Sequence, residues 1–196
     1  MPSIERFSNL SKQILERPNG FPTRLVGVDG CGGSGKSTFA KRLASHLRTE
    51  KLIHTDDFAS WDNPIEWWPR LLGQVIEPLS KDETAHWQRY DWENKQLAEW
   101  QDTEPGGVVI IEGVTATREA WRHLLAFCIW VECPRDLRLQ RGLERDGQDA
   151  YGLWREWMAA EDEYVKTENP QSHADLVVDG SLSPDNSEED FVRLRP

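Results

Sequence analysis

Basic residues are the scarce class in this 196-residue chain: 23 Lys and Arg stand against 34 Asp and Glu, for a net charge of −11. A surface of that sign repels phosphate backbones and anionic lipid. No basic run is long enough to make a local exception, so neither a nucleic-acid nor a membrane partner is expected. Long apolar runs are missing too; none approaches the ~20 residues that span a bilayer. The opening stretch, residues 1–20, carries charges throughout and places Ile4, Phe7, Leu10 (or Ser11) and Ile14 at helical spacing. It reads as an amphipathic helix rather than a signal peptide. Cysteine is down to three, Cys31, Cys128 and Cys133, an odd number without metal-ligand spacing. Reduced thiols in a cytosolic protein are the expectation.

What is present is the composition of a globular chain, 38% hydrophobic and 29% charged, of a length suited to one domain spanning 1–196. Ten tryptophans suit core packing or the walls of a pocket for a ring-shaped ligand. "RLVGVDG", "KLIH", "GGVVIIEGV", "AFCIWVEC" and "ADLVVDG" read as buried strands. Between them "KSTFAKRLASHL", "EAWRHLL", "PRDLRLQRGLERDG" and "YGLWREWMAAEDEYVKT" read as helices. Residues 57–104 show no clean strand and some helical spacing (Leu71, Leu72, Val75, Ile76), so a mostly helical insert is expected there. Residues 181–196 form an acidic, turn-rich tail, loosely held unless Phe191 and Val192 dock. Strand–helix alternation of this kind indicates α/β architecture around a central parallel five-stranded sheet.

Gly30-Cys31-Gly32-Gly33-Ser34-Gly35-Lys36-Ser37, followed by Thr38, satisfies G-x-x-x-x-G-K-[ST] between a buried strand and an amphipathic helix. Glycines let successive N–H groups converge on phosphate oxygens, and the helix that follows adds its positive end. Lys36 can reach the β and γ phosphates, and the Ser37 hydroxyl can ligate Mg²⁺. A P-loop NTPase sandwich binding ATP and Mg²⁺ is therefore expected. An N-K-x-D guanine reader is absent, which argues against a GTPase switch; a nucleic-acid motor would need a basic track. A kinase needs an acceptor pocket and an arginine-bearing lid, and candidates for both exist.

Five pieces in order, "GCGGSGKST", "HTDDF", "RYDW", "VVIIEGV" and "RLQRGLERD", resemble the P-loop small-molecule kinases grouped around uridine kinase, nicotinamide riboside kinase, pantothenate kinase and phosphoribulokinase. More narrowly, the chain is similar to the uridine-kinase-like proteins of actinomycetes. By that resemblance Asp56 aligns with the family's catalytic Asp and Asp57 with the extra Asp of DDF variants. Phosphoryl transfer to a hydroxyl is helped by a carboxylate that takes its proton; the alternative is that the pair caps a helix before Phe58. Glu112, ending a buried strand, is the other carboxylate near the metal, placed to hold Mg²⁺ through water or to orient the hydroxyl; the alternative is a satisfied strand-end acid. Ser37, Asp56 and Glu112 form the candidate metal set.

Phe58, Trp61, Tyr90, Asp91 and Trp92 are the candidate acceptor contacts, aromatic faces suiting a base or a sugar ring. Arg138, Arg141 and Arg145 share a helical spacing in the lid region, 134–150. Arg141 and Arg145 are the expected phosphate contacts, unless the set simply pairs with Asp136, Glu144 and Asp146. The sequence departs from the uridine kinase pattern at Ala59, Lys95, Leu97 and Gly142. The phosphate-transfer parts carry over, and the uridine-recognition residues largely do not. The expectation is an ATP- and Mg²⁺-dependent kinase acting on a hydroxyl of a small molecule, with a nucleoside or ribosyl compound as the leading acceptor. The alternative is a regulatory P-loop ATPase that drives a partner's conformational change. Nothing in the sequence fixes the oligomeric state.

Overall fold

The computed structural model describes residues 2–60, 63, 65–181 and 188–195. The expected acceptor residue Trp61 lies outside them. In chain order the elements are β1 (Ser3–Arg6), α1 (Phe7–Glu16), β2 (Thr23–Asp29), α2 (Lys36–Leu47) and β3 (Leu52–His54). A 3₁₀ turn, Thr55–Asp57, follows. Then come α3 (Trp68–Leu71) and α4 (Glu77–Ser80), joined by a π turn over Leu72–Ile76, and the strands β4 (Ala85–Asp91) and β5 (Gln96–Thr103). The chain continues through β6 (Gly107–Gly113), α5 (Glu119–Arg122), β7 (Phe127–Glu132), α6 (Arg135–Asp146) and α7 (Tyr151–Glu168). It ends in α8 (Pro170–His173), β8 (Leu176–Asp179) and β9 (Asp190–Arg195).

The main sheet runs β1-β9-β8-β7-β2-β6-β3. Its five strands from β8 to β3 are parallel, the α/β arrangement expected from strands with few polar side chains. Alternate residues feed two cores, because side chains alternate across a strand. Val26, Val28, Val108, Ile110, Phe127 and Ile129 pack under α1 and α2. On the other face Leu25, Val109 and Ile111 meet the helical part of the insert, Leu71, Val75, Ile76 and Leu79, together with Trp121. Burial on both faces explains why β6 reads as an unbroken apolar run.

The sequence expectation needs correction in three places. The N-terminal helix begins at Phe7; Ile4 lies in β1 and is 77% exposed, because pairing with β9 draws Ser3–Arg6 into the sheet. The tail supplies that partner: β9 pairs antiparallel with β8 and β1. Phe191 is buried against Phe7 and Phe39 at 5.1 and 5.5 Å. The central sheet thus gains two antiparallel strands at one edge.

The insert is only half helical, since β4 and β5 form an antiparallel hairpin. Its alternation is masked by charged side chains that pair across the strands, His86 with Asp102 and Arg89 with Glu99. Such partners 10 to 16 residues apart are invisible to a local reading.

Candidate functional site at the carboxyl ends of the parallel strands

The glycine loop after β2 turns on residues that only glycine adopts comfortably: Gly33 and Gly35 have φ of 75° and 92°. Ser34 N–H closes the turn onto the Cys31 carbonyl at 3.1 Å. Lys36 opens α2 with its side chain buried, while Ser37 and Thr38 are exposed. Burial, with the nearby Glu161 charge, pushes the Cys31 thiol up to about 12. Cys31 is therefore an inert packing residue of the loop.

Parallel pairing sets Val28, Glu112 and His54 side by side in register across β2, β6 and β3, on the face covered by α2. Glu112 is 3% exposed. Its Oε1 accepts the Ser37 hydroxyl at 2.9 Å and its Oε2 lies 2.6 Å from His54 Nδ1. Burial works to raise the Glu112 pKa, but the His54 hydrogen bond, the Lys36 charge and the Ser37 hydroxyl together hold it below the usual range. The same hydrogen bond raises the pKa of His54. Glu112 is thus an ionised carboxylate at the mouth of the loop.

Two buried carboxylates that sequence reading passed over support the loop from behind. Asp29, wholly buried, accepts Gly30 N–H and Thr115 N–H on Oδ1, and Thr117 N–H, the Thr117 hydroxyl and the Tyr164 hydroxyl on Oδ2. Burial raises its pKa against those donors. Glu161 accepts Gly32 N–H at 2.9 Å and pairs with Arg138 at 3.2 Å, both side chains nearly inaccessible. Glu161 and Tyr164 stand three residues apart on one face of α7, so that helix grips the loop at two points. The "VDG" before the loop was the one available signal; Glu161, far along the chain, gave none.

The lid arginines have protein partners. Arg141 donates to the carbonyls of Gly180, Ser181 and Gly33 at 2.7, 3.0 and 3.3 Å, which ties α6 to the glycine loop. Arg145 is 69% exposed in its side chain and pairs with Asp146, with its guanidinium over the Trp154 ring. Where the family pattern has a further Arg, Gly142 lies under Trp154; a Cβ there would come within 2.3 Å of the indole.

Beyond β3, Asp56 is exposed, and its carbonyl accepts Trp92 Nε1–H at 3.0 Å. Asp57 is more enclosed, and burial raises it to about 6 despite the nearby His54 and Arg89 charges. A narrow cleft of about 10 Å³ opens here, lined by Thr55, Asp56, Trp67, Trp157 and Glu161 among others. That is about the space of one water, so an acceptor needs the walls of the cleft to move apart. Trp92 packs on Trp157 at 5.8 Å and edge-on to Tyr90, joining hairpin, turn and α7.

Two expected acceptor contacts are engaged elsewhere. Phe58 is 2% exposed, stacked on Trp87 and beside Trp67, a core residue. Asp91 accepts the Glu93 and Asn94 N–H groups and the Asn94 amide, closing the hairpin turn; the Asn94 hydrogen bonds lower its pKa.

Among the described residues no three His, Cys, Asp or Glu side chains converge as a metal cage. One hydroxyl and one carboxylate 2.9 Å apart at the phosphate loop suit Mg²⁺, which keeps most of its waters and takes the rest of its ligands from phosphates. The loop's left-handed glycines and its buried lysine suit a nucleotide's phosphate chain.

A glycine loop between β2 and α2, a carboxylate ending the adjacent strand and a parallel sheet define a P-loop nucleotide-binding protein. The family profile described as "AAA domain" matches residues 26–166, and the chain belongs to that family. Curated relatives include a uridine kinase of Halobacterium salinarum, 26% identical over 80% of each chain. Another is a uridine kinase of Borrelia turicatae, 28% identical over 63% of this chain and 67% of the relative. Among solved structures, a Bacillus stearothermophilus protein described as a possible uridine kinase superposes with a TM-score of 0.65 at 25% identity. The match covers 88% of this chain and 96% of that one. A Silicibacter protein at 20% identity and TM-score 0.65 shares the fold. No helix of the described residues is long and apolar enough to cross a membrane.

Proposed function

We propose that this protein is a kinase that transfers the γ-phosphate of ATP to a hydroxyl of a small molecule. The observation that carries this is the placement of Asp56 in the turn that follows β3, next to the strand whose Glu112 reaches Ser37 of the loop. A carboxylate beside the phosphate loop suits a phosphotransferase, whose acceptor hydroxyl must give up a proton. The uridine kinase names of the relatives and the 25%-identical Bacillus structure support the reading.

In this reading the loop's N–H groups and Lys36 hold and neutralise the phosphate chain. Mg²⁺, when bound at Ser37 and Glu112, supplies charge neutralisation of the transferring group. Asp56 lines the cleft and takes the acceptor's proton. Asp57, which burial raises to about 6, does not line it, and reach comes before pKa in choosing a base. Trp157, with Trp92 packed on it, stands on the acceptor side and helps exclude water. Adjacent carboxylates disfavour an acceptor that already carries phosphate, so a nucleoside or ribosyl compound fits better than a nucleoside monophosphate.

Lys95 and Leu97 stand where uridine kinases have nucleoside-holding residues, and Leu97 is exposed on β5. Uridine and cytidine are expected to be poor acceptors, with kcat/KM well below that of the true substrate. The test is a metabolite-library screen that follows ATP consumption, with mass spectrometry of each hit. A phosphorylated product supports the kinase. ATP hydrolysis stimulated by a partner protein, with no phosphorylated product, overturns it. Efficient uridine phosphorylation overturns only the specificity.

A further inference from the structure

We propose that His54 is a positioning residue of this site, clamping Glu112 against Ser37 so that the metal-side carboxylate keeps one orientation. The inference rests on the assignment of Glu112 to the metal given above, and adds a residue outside the expected set.

β3 and β6 are parallel and pair His54 with Glu112 in register, so the two side chains leave neighbouring strands on the same face. Nδ1 of His54 lies 2.6 Å from Oε2, and the Ser37 hydroxyl donates to Oε1 at 2.9 Å. Both oxygens are therefore committed, and the carboxylate has no free rotation about its last bond. Glu112 is all but inaccessible to solvent, where an ionised group needs a charge-assisted partner. His54 supplies it from an imidazole that is itself 39% exposed in its side chain, so the cost of burying the pair falls mainly on Glu112. Its backbone also leads directly into the Thr55–Asp57 turn. One side chain thus joins the strand that ends in Glu112 to the turn that carries Asp56. A histidine placed here only to fill space would not meet the carboxylate with a ring nitrogen at 2.6 Å.

The test uses Mg²⁺ and ADP as probes, which need no knowledge of the acceptor. The Mg²⁺ concentration giving half-maximal thermal stabilisation of the ADP complex is measured, with Mn²⁺ binding to that complex by EPR as a second readout. His54→Ala is expected to raise that concentration about tenfold or more, while His54→Asn, whose amide N–H can reach the same oxygen, stays within about threefold of wild type. ADP affinity without metal is expected to change little in either variant, which also reports that both fold.

Wild-type Mg²⁺ dependence in His54→Ala, with loss of it in Glu112→Gln, overturns the role of His54 and leaves the metal assignment standing. An Asn variant as impaired as the Ala variant overturns the hydrogen bond as its mechanism. Unchanged Mg²⁺ dependence in Glu112→Gln shows instead that Glu112 does not serve the metal, and the inference falls with that assignment.

Discussion

The phosphate half of this site is one continuous stretch of chain, residues 30–38, that bends on its own glycines and ends in the first turn of α2. The proposed acceptor half is assembled from the end of β3, the β4–β5 turn and α7, with Trp92 bonded to the Asp56 carbonyl and packed on Trp157. The first half needs little from the rest of the molecule beyond support at its back by Asp29, Glu161 and Arg141. The second exists only when three separate segments meet. Under the proposed function, local chemistry fixes what is transferred, and packing fixes what receives it.

The largest effect is expected in the local half. Lys36→Ala removes the charge facing the β and γ phosphates and is expected to lower turnover by about 10²–10³-fold, with loss of most ATP-dependent thermal stabilisation. A variant that binds MgATP like wild type would break the assignment of the loop.

At the junction of the halves, Asp56→Asn keeps shape but cannot take a proton. It is expected to bind MgATP, melt near the wild-type temperature and transfer phosphate about a hundredfold more slowly. Normal turnover with a lowered melting point would make the carboxylate pair a structural cap. A pH–rate profile sharpens this: an acid limb near 6 would move the base to Asp57, whose burial holds it at about that value.

In the assembled half, Gly142→Arg restores the family's lid residue but drives a side chain into Trp154. It is expected to destabilise the fold by about 1–3 kcal/mol in urea titration, with part of the loss recovered when Trp154→Ala is added. An arginine accommodated without cost would show that α7 does not rest on α6 as described.

The smallest effect concerns Asp57. Its folded pKa of about 6 lies above the ordinary 3.8, so the folded state holds the proton more tightly than the unfolded chain does. The carboxylate costs the fold nothing below about pH 4, progressively more between there and about pH 6, and a constant amount above. Asp57→Asn is expected to melt above wild type at pH 8 by a few degrees, with the gain gone at pH 4. A gain independent of pH would rule out the buried charge as its cause.

Much of this was legible in the residues. The parallel strands announced themselves because burial on both faces demands unbroken apolar runs, as in "VVIIEG". The loop did so because only glycines at fixed spacing, with Lys and Ser behind them, make a phosphate cradle. Asp56 just past β3 and Glu112 near the end of β6 could be named because polar residues at the end of an apolar strand stand out.

What tertiary structure decided is the set of pairings. His54 met Glu112 through strand register, and Glu161 met Gly32 through the docking of α7. Arg141 is tied to the loop because three backbone carbonyls converge on it. The β4–β5 hairpin formed where alternation was hidden by charges that pair across strands. Phe58 joined the core and Asp91 its own turn, so of the described acceptor candidates Tyr90 and Trp92 stay beside the site. A single sequence encodes each side chain's chemistry and local spacing, but a partner far along the chain is selected only when the sheet closes and fixes which strand ends stand together.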